Sequence, residues 1–271
     1  MLCVTVVWCG LLGRRAVLGG TGLALLPRAP AFAAQVYPPN FEPARIEGLG
    51  GGADLLATTP PTVADVAYPP SLNGTWVAQR RVISVEGDTA QAEGAWRLLG
   101  GTGDLRKEES YLLRYVNQAP GGSLAITGTD GRTYFGVVLD RGYELKERAL
   151  GADVVWERQS PDYLRYQRTS DGGGASLRVV QRSVELPSEQ GWGSNELLRI
   201  TTGASTLLGA FEIDYACRVQ RRWRRATLPE TGARVVEGIE ILKTYRVLDG
   251  VAGVEYPTST TKSTIRLTRP T

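Results

Sequence analysis

Asp140 and Glu144 stand either side of Arg141, and the pair Glu108-Glu109 adjoins Lys107. Two carboxylates at a suitable separation are the machinery of glycoside hydrolysis. On a charged surface such groups far more commonly form solvated salt bridges. There is no histidine anywhere in the sequence. That excludes Ser-His-Asp and Cys-His nucleophile systems and histidine-ligated zinc, copper or iron. Acid/base work would fall to carboxylates, tyrosines or lysines. No acidic cluster has the spacing of a calcium loop. These features lean away from an enzyme: no catalytic residue is assigned, and neither a metal nor a cofactor is expected.

The densest basic run places Arg218, Arg221, Arg222, Arg224 and Arg225 around Trp223. On a strand, Arg218, Arg222 and Arg224 point one way, and Tyr215, Cys217, Val219 and Trp223 the other. Those three arginines are a candidate patch for an acidic partner or a lipid headgroup surface. The plainer alternative pairs them with acids of the returning strand, where Glu237 and Glu240 are available. Nucleic acid is not expected as a partner.

The elements that would position these groups begin after a leader. Residues 1–33 read as a targeting signal. Arg14-Arg15 precedes the mildly apolar run from Ala16 to Leu26, and Ala31-Phe32-Ala33 is a small-residue cleavage site. A twin arginine with a weak apolar core suits the twin-arginine route. Neither charge-free run around the arginine pair reaches the roughly 20 apolar residues a membrane span needs. The destination is a thylakoid lumen or a bacterial periplasm, with contact to the membrane peripheral at most. The whole chain carries a net charge of +3. Without Arg14, Arg15 and Arg28 the basic and acidic residues balance, so any basic partner surface must be local. Cys3 and Cys9 leave with the leader, so Cys217 stands alone and reads as a buried strand residue.

Residues 34–66 are rich in proline, with glycine from Gly48 to Gly52 nearly unbroken, and read as an extended arm. Residues 67–271 form one β-rich domain. Short β-type runs recur between turn signals, Asp130-Gly131 being the strongest hairpin cue. The longest hairpin runs from Phe211 to Arg225 and returns as Ala233 to Leu248 across Pro229-Glu230-Thr231-Gly232. In the run Thr75 to Val85, Trp76, Ala78 and Val82 face one side and Val77, Ile83 and Val85 the other. Ala90 to Leu99 looks helical, and Gly142 to Leu150 is ambiguous. The spacing suggests a sandwich or an up-and-down barrel, and the absence of βαβ units argues against a parallel α/β fold.

Gly74-Thr75-Trp76 opens the first strand, and Arg266 and Arg269 lie on or just after the last. That resembles the calycin arrangement, in which a Gly-x-Trp tryptophan closes the barrel floor and a late arginine packs across it. Gly74, Trp76 and Arg266 are therefore the expected barrel-closing set, since a guanidinium can stack on an indole while bonding to backbone carbonyls. The expected fold is a single antiparallel up-and-down β-barrel of the lipocalin/calycin kind, with one or two short helices.

The twin-arginine leader, Pro69-Pro-Ser-Leu-Asn-Gly-Thr-Trp76, Val138-Leu-Asp-Arg141, Glu237-Gly-Ile-Glu-Ile-Leu-Lys-Thr-Tyr-Arg246, Tyr256-Pro-Thr-Ser259 and Arg266-Leu-Thr-Arg-Pro270 together resemble an uncharacterised lipocalin-like family of thylakoid-lumen proteins from plants and algae. The resemblance implies a barrel and a chloroplast lumenal location, and it brings no reaction. The expected function is a non-enzymatic binding module for a small apolar or amphiphilic ligand. The alternative is a structural or assembly factor that docks on a photosynthetic membrane complex.

Overall fold

The computed structural model describes residues 53–54, 65–117, 125–127, 133–149, 152–158, 160–168, 173–185, 191–206, 209–248 and 251–270. The leader with Arg14, Arg15, Ala31 and Ala33 lies outside them, as does nearly all of the arm.

Ten strands make one antiparallel sheet. They are β1 (Gly74–Gly87), β2 (Glu109–Asn117), β3 (Val137–Leu139), β4 (Asp153–Trp156), β5 (Tyr163–Gln167), β6 (Gly174–Glu185), β7 (Trp192–Thr206), β8 (Gly209–Thr227), β9 (Arg234–Tyr245) and β10 (Ser259–Thr268). Their order across the sheet is β3-β2-β1-β10-β9-β8-β7-β6-β5-β4. Every strand thus lies beside at least one neighbour in sequence, and the first pairs with the last. The one consecutive pair not joined is β3 and β4, the two edges. Helix α2 (Arg141–Arg148) connects these edges and packs against β2 and β4. The sheet is curled and barrel-like but is not a closed barrel, because no ladder joins β3 to β4 among the described residues.

Local chemistry explains the elements. Helix α1 (Thr89–Leu98) starts at Asp88, whose carboxylate accepts from the Gln91 amide at 3.1 Å. Asp140 caps α2 in the same way, accepting from the Tyr143 amide at 2.9 Å. Each side chain satisfies an amide that the first helical turn leaves without a partner. The β8–β9 hairpin turns at 228–233, where the Gly232 amide bonds back to the Leu228 carbonyl at 2.8 Å. Ala125–Thr127 and Thr133–Phe135 pair antiparallel, as the Asp130-Gly131 cue predicts, although the turn itself falls outside the described residues.

The alternation in β1 differs from expectation at one point. Trp76, Ala78 and Val82 face inward, but Val85 joins them and Ile83 is exposed. The β10–β1 register shifts between Lys262 and Ser263. A bulge adds one residue to the strand and reverses the facing of the residues beyond it.

The inner face is layered. Near α1 lies an apolar cluster that includes Trp96, Leu164, Val179, Leu198, Val219 and Leu242. At the opposite end a second cluster gathers Leu72, Trp76, Leu113, Trp192, Trp223 and Leu267. On the outer face Leu197, Ala216 and Tyr245 are covered by Ala252 and Val254. Ala252 belongs to the short hairpin Val247–Leu248 with Val251–Ala252, to which Ala53–Asp54 adds a third strand.

Candidate functional site

Between the two inner clusters every long strand carries a polar residue. Along β8 the inward order is Trp223, Arg221, Val219, and on β9 it is Val236, Gly238, Glu240, Leu242. On β1 Arg80 separates Ala78 from Val82, and on β7 Glu196 precedes Leu198. The result is a buried ionic belt, its charges paired because an unpaired charge in such a setting is prohibitive.

Arg80 bonds to Glu240 at 2.9 Å, both side chains being almost wholly buried. Glu240 also accepts from Arg221 Nε at 2.8 Å. Arg221 reaches Glu144 of α2 at 3.3 Å, and Glu144 pairs with Arg148 at 3.0 Å. A second set centres on Glu196, which accepts from Arg182 Nε at 2.7 Å and from Arg141 at 2.8 and 3.0 Å. Arg141 extends this set to Asp65 at 3.0 Å, and Arg182 extends it to Asp162 at 2.8 Å. Burial alone would raise the Glu196 carboxyl, but Arg141 and Arg182 outweigh it and hold it at about 2. Burial is likewise outweighed at Glu240 by Arg221 and Arg80, which bring it to about 2.

Trp96 is the aromatic partner of the belt. Arg80 lies 3.5 Å and Arg148 4.6 Å from its ring centre, and its indole N–H donates to Glu109 at 2.9 Å. A cavity of about 80 Å³ opens in the belt, lined by Tyr68, Arg141, Glu144, Arg148, Glu196 and Arg221 against aliphatic side chains. Burial pushes the Tyr68 phenol up to about 12, against the pull of Arg221. The polar half of this lining suits water or a small polar group and opposes a hydrocarbon tail.

The expected carboxylate pairs part company. Asp140 faces Arg114 at 2.7 Å while Glu144 turns into the belt. Glu109 is buried and bonds to Trp96 and Thr102, whereas Glu108 is exposed. Among the described residues no group of His, Cys, Asp and Glu is placed to hold a metal ion.

At the Trp76 end of the curled sheet an arginine lies over the indole, but it is not Arg266. The arginine over Trp76 is Arg269, 3.9 Å from the ring centre. It donates to the carbonyls of Ser71, Asn73 and Thr75 at 3.0 to 3.2 Å. Arg266 instead pairs with Glu237 at 3.2 Å. Strand parity decides this: Ile265 and Leu267 point inward, so Arg266 points out, while Arg269 lies past the end of β10 and folds back. Trp76 donates its indole N–H to the Leu72 carbonyl at 2.7 Å. Gly74 allows the approach, with φ +104° and Arg269 3.0 Å from where a Cβ would lie.

The arginine strand follows the plainer alternative, pairing with an acid of the returning strand, at Arg224 alone; Arg222 finds its acid on β6. Arg218, Arg222 and Arg224 do share the outer face of β8. Arg222 pairs with Glu185 at 3.1 Å, and Arg224 with Glu237 at 3.0 Å. Arg218 has its guanidinium carbon 5.8 Å from the Tyr245 ring centre. Glu240 does not serve this face but the belt. Cys217 is buried, and burial pushes its thiol up to about 12. Tyr215 is on the expected side but 41% exposed, beyond the core.

Beside α1 the mouth of the curled sheet holds a groove of about 710 Å³. Ala95 and Leu98 of α1 form one wall, and Ala216, Cys217 and Val247 contribute to the other. Sequence reasoning missed both the belt and this groove.

The fold and these sites define a curled antiparallel β protein with an ionic interior and a groove at one mouth. The chain belongs to the family described as Domain of unknown function (DUF6816), whose model matches residues 61–271. No curated protein and no solved structure matches it.

Proposed function

We propose that this protein is a non-enzymatic binding module for a small apolar or amphiphilic ligand, taken up at the α1 mouth. The groove carries this reading: about 710 Å³ is within the range of small-molecule sites. The central interior does not compete for the ligand, since two apolar clusters and the belt fill it. The carboxylates of the small cavity are committed to guanidinium groups, which supports binding over proton-transfer chemistry.

We further read the curled sheet as a lipocalin-like barrel opened between β3 and β4, with α2 in the gap. The Trp76–Arg269 stack and the pairing of the first strand with the last support that reading. The proposed setting is the thylakoid lumen after twin-arginine export, with a bacterial periplasm as the alternative. None of the helices among the described residues is long and apolar enough to cross a membrane. Docking on a membrane complex through Arg218, Arg222 and Arg224 has less support, because Glu185 and Glu237 already pair with two of the three.

Native purification followed by mass spectrometry of an organic extract tests the reading. A stoichiometric small molecule, displaced by enlarging Ala95 to Trp, is the expected outcome. An extract with no bound molecule, together with no binding of apolar or amphiphilic probes to the purified protein, overturns it.

A further inference from the structure

On the outer face of β8, Arg222 and Arg224 have their acids, but Arg218 does not. The residue opposite Arg218 in the β8–β9 ladder is another cation, Lys243. Lys243 stands opposite Thr260, and so diagonal to Lys262 of β10. Lys262 stands opposite Ser84, and Thr264 opposite Arg81, which brings Arg81 of β1 diagonal to Lys262. The buried Val219, Leu242, Thr261 and Arg80 each adjoin one of these cations and point inward, so all four cations share the outer face. They form a diagonal basic stripe across four strands.

None of the four has an ion-pair partner among the described residues, and Nε and Nη2 of Arg218 make no hydrogen bond. Glu237 is taken by Arg224 and Arg266, and Asp214 by Arg199. Glu86 of β1 and Glu108, just before β2, flank the stripe, are exposed, and pair with none of the four. Like charges directly opposite each other in a ladder repel, so Arg218 against Lys243 is a local cost that an anion would relieve.

We infer that this stripe docks an extended acidic segment of a partner protein, whose carboxylates meet Arg218 with Lys243, then Lys262, then Arg81. The spacing fits: diagonal neighbours in a ladder are about 7–8 Å apart. An extended chain brings every second side chain to one face, about 6.6 Å apart. The relief of the surface favours a single chain over a membrane. The short hairpin that ends in Ala252 covers Ala216 and Tyr245, the next outer-face residues beyond Arg218 and Lys243. A flat bilayer meets this raised layer before it meets the two cations, whereas an extended chain lies at its foot. The chain's own arm is a poor match: Glu42 and Glu47 are five residues apart, which puts them on opposite faces of an extended chain, with Arg45 between them. This surface goes beyond the ligand reading and does not depend on it.

The test titrates the purified protein with two labelled peptides of equal composition and charge. One alternates Glu with Thr, and the other places all its Glu ahead of its Thr. At low salt the alternating peptide is expected to bind about tenfold more tightly, with affinity falling as salt rises. Lys243→Glu with Lys262→Glu weakens the alternating peptide about tenfold and removes the preference. Arg81→Glu, at an exposed site on another strand, weakens it about threefold. The exposed Arg234→Glu, at the far end of β9, changes neither peptide. Lys243→Glu also gives Arg218 an attracting partner in place of a repelling one, so its thermal midpoint is expected to rise as binding falls. That separates loss of the surface from loss of the fold. Equal binding of the two peptides, binding unmoved by the double reversal, or no binding of either peptide overturns the inference. Binding to vesicles containing phosphatidylglycerol, lost on the double reversal and without peptide binding, assigns the stripe to a membrane and also overturns it.

Discussion

Arg80 on β1 and Glu240 on β9 meet at 2.9 Å across the intervening strand β10, with side-chain exposures of 1% and 2%. Their contact ties the pairing of first and last strands to the centre of the sheet. A buried ion pair adds little over a well-packed apolar pair, but breaking it leaves an uncompensated charge. Glu240 neutralises both Arg80 and Arg221, so its loss takes the carboxylate from Arg80 and leaves Arg221 with Glu144. Glu240→Gln is expected to destabilise the fold by about 3–5 kcal/mol. Glu185→Gln, on the partly exposed outer face beside Arg222, costs about 1 kcal/mol or less. Denaturant midpoints of the two variants make the comparison, and equal midpoints contradict the buried role of Glu240.

The assignment of Arg269 to Trp76 gives a second contrast. Arg269→Ala removes a cation–π stack and three carbonyl contacts at an exposed site, a loss of about 1–2 kcal/mol. Arg266→Ala removes one outer-face ion pair, worth about 0–1 kcal/mol. The near-ultraviolet signal of Trp76 is expected to change in the first variant and not in the second. The reverse result places the wrong arginine over the indole.

Part of this architecture is legible in the residues. The hairpin over 229–232, the helix after Asp88 and the floor motif at Gly74 to Trp76 rest on local signals, namely turn chemistry, capping and a short motif. The ionic belt rests on register. Arg80 sits between Ala78 and Val82 at an inward position, yet a lone arginine in an alternating run looks like an outward residue. Its partner lies 160 residues away in the sequence. Nothing local says that Glu240 turns inward while Glu237, three residues earlier, turns out. Val85 departs from the simple alternation for a similar reason, since one bulged residue at Ile83 reverses the facing and leaves no mark in composition. Arg266 and Arg269 are equivalent on sequence alone. Only the end of β10 at Thr268 separates them.

Acid stability follows from the belt. Glu196 and Glu240 are held at about 2, below the ordinary 4.5. An unfolded chain binds protons at these groups as pH falls through about 4.5, whereas the folded chain does so only near 2. Their stabilisation is therefore fully present above about pH 4.5 and is lost as pH falls towards 2, on the order of 3 kcal/mol for each group. Unfolding free energy should stay level from pH 7 to 5 and drop steeply below 4.5. Glu196→Gln is destabilised at neutral pH and shows a shallower acid drop. A wild-type protein whose stability is flat down to pH 2 rules this out.

Gly238 faces Trp223 across the β8–β9 ladder, in the apolar cluster at the Trp76 end. A Cβ at Gly238 would lie 2.3 Å from the indole, well inside van der Waals contact. Trp223 is 3% exposed and walled by Trp192, so it has little room to retreat. Gly238→Ala is therefore expected to cost about 1–3 kcal/mol through overpacking, although alanine is otherwise the better strand residue. Trp223→Leu empties the space that the new methyl needs. The cost of Gly238→Ala in that background should fall to near zero, a coupling that a double-mutant cycle measures directly. Additive effects of the two substitutions would mean that the glycine serves the backbone and not the indole.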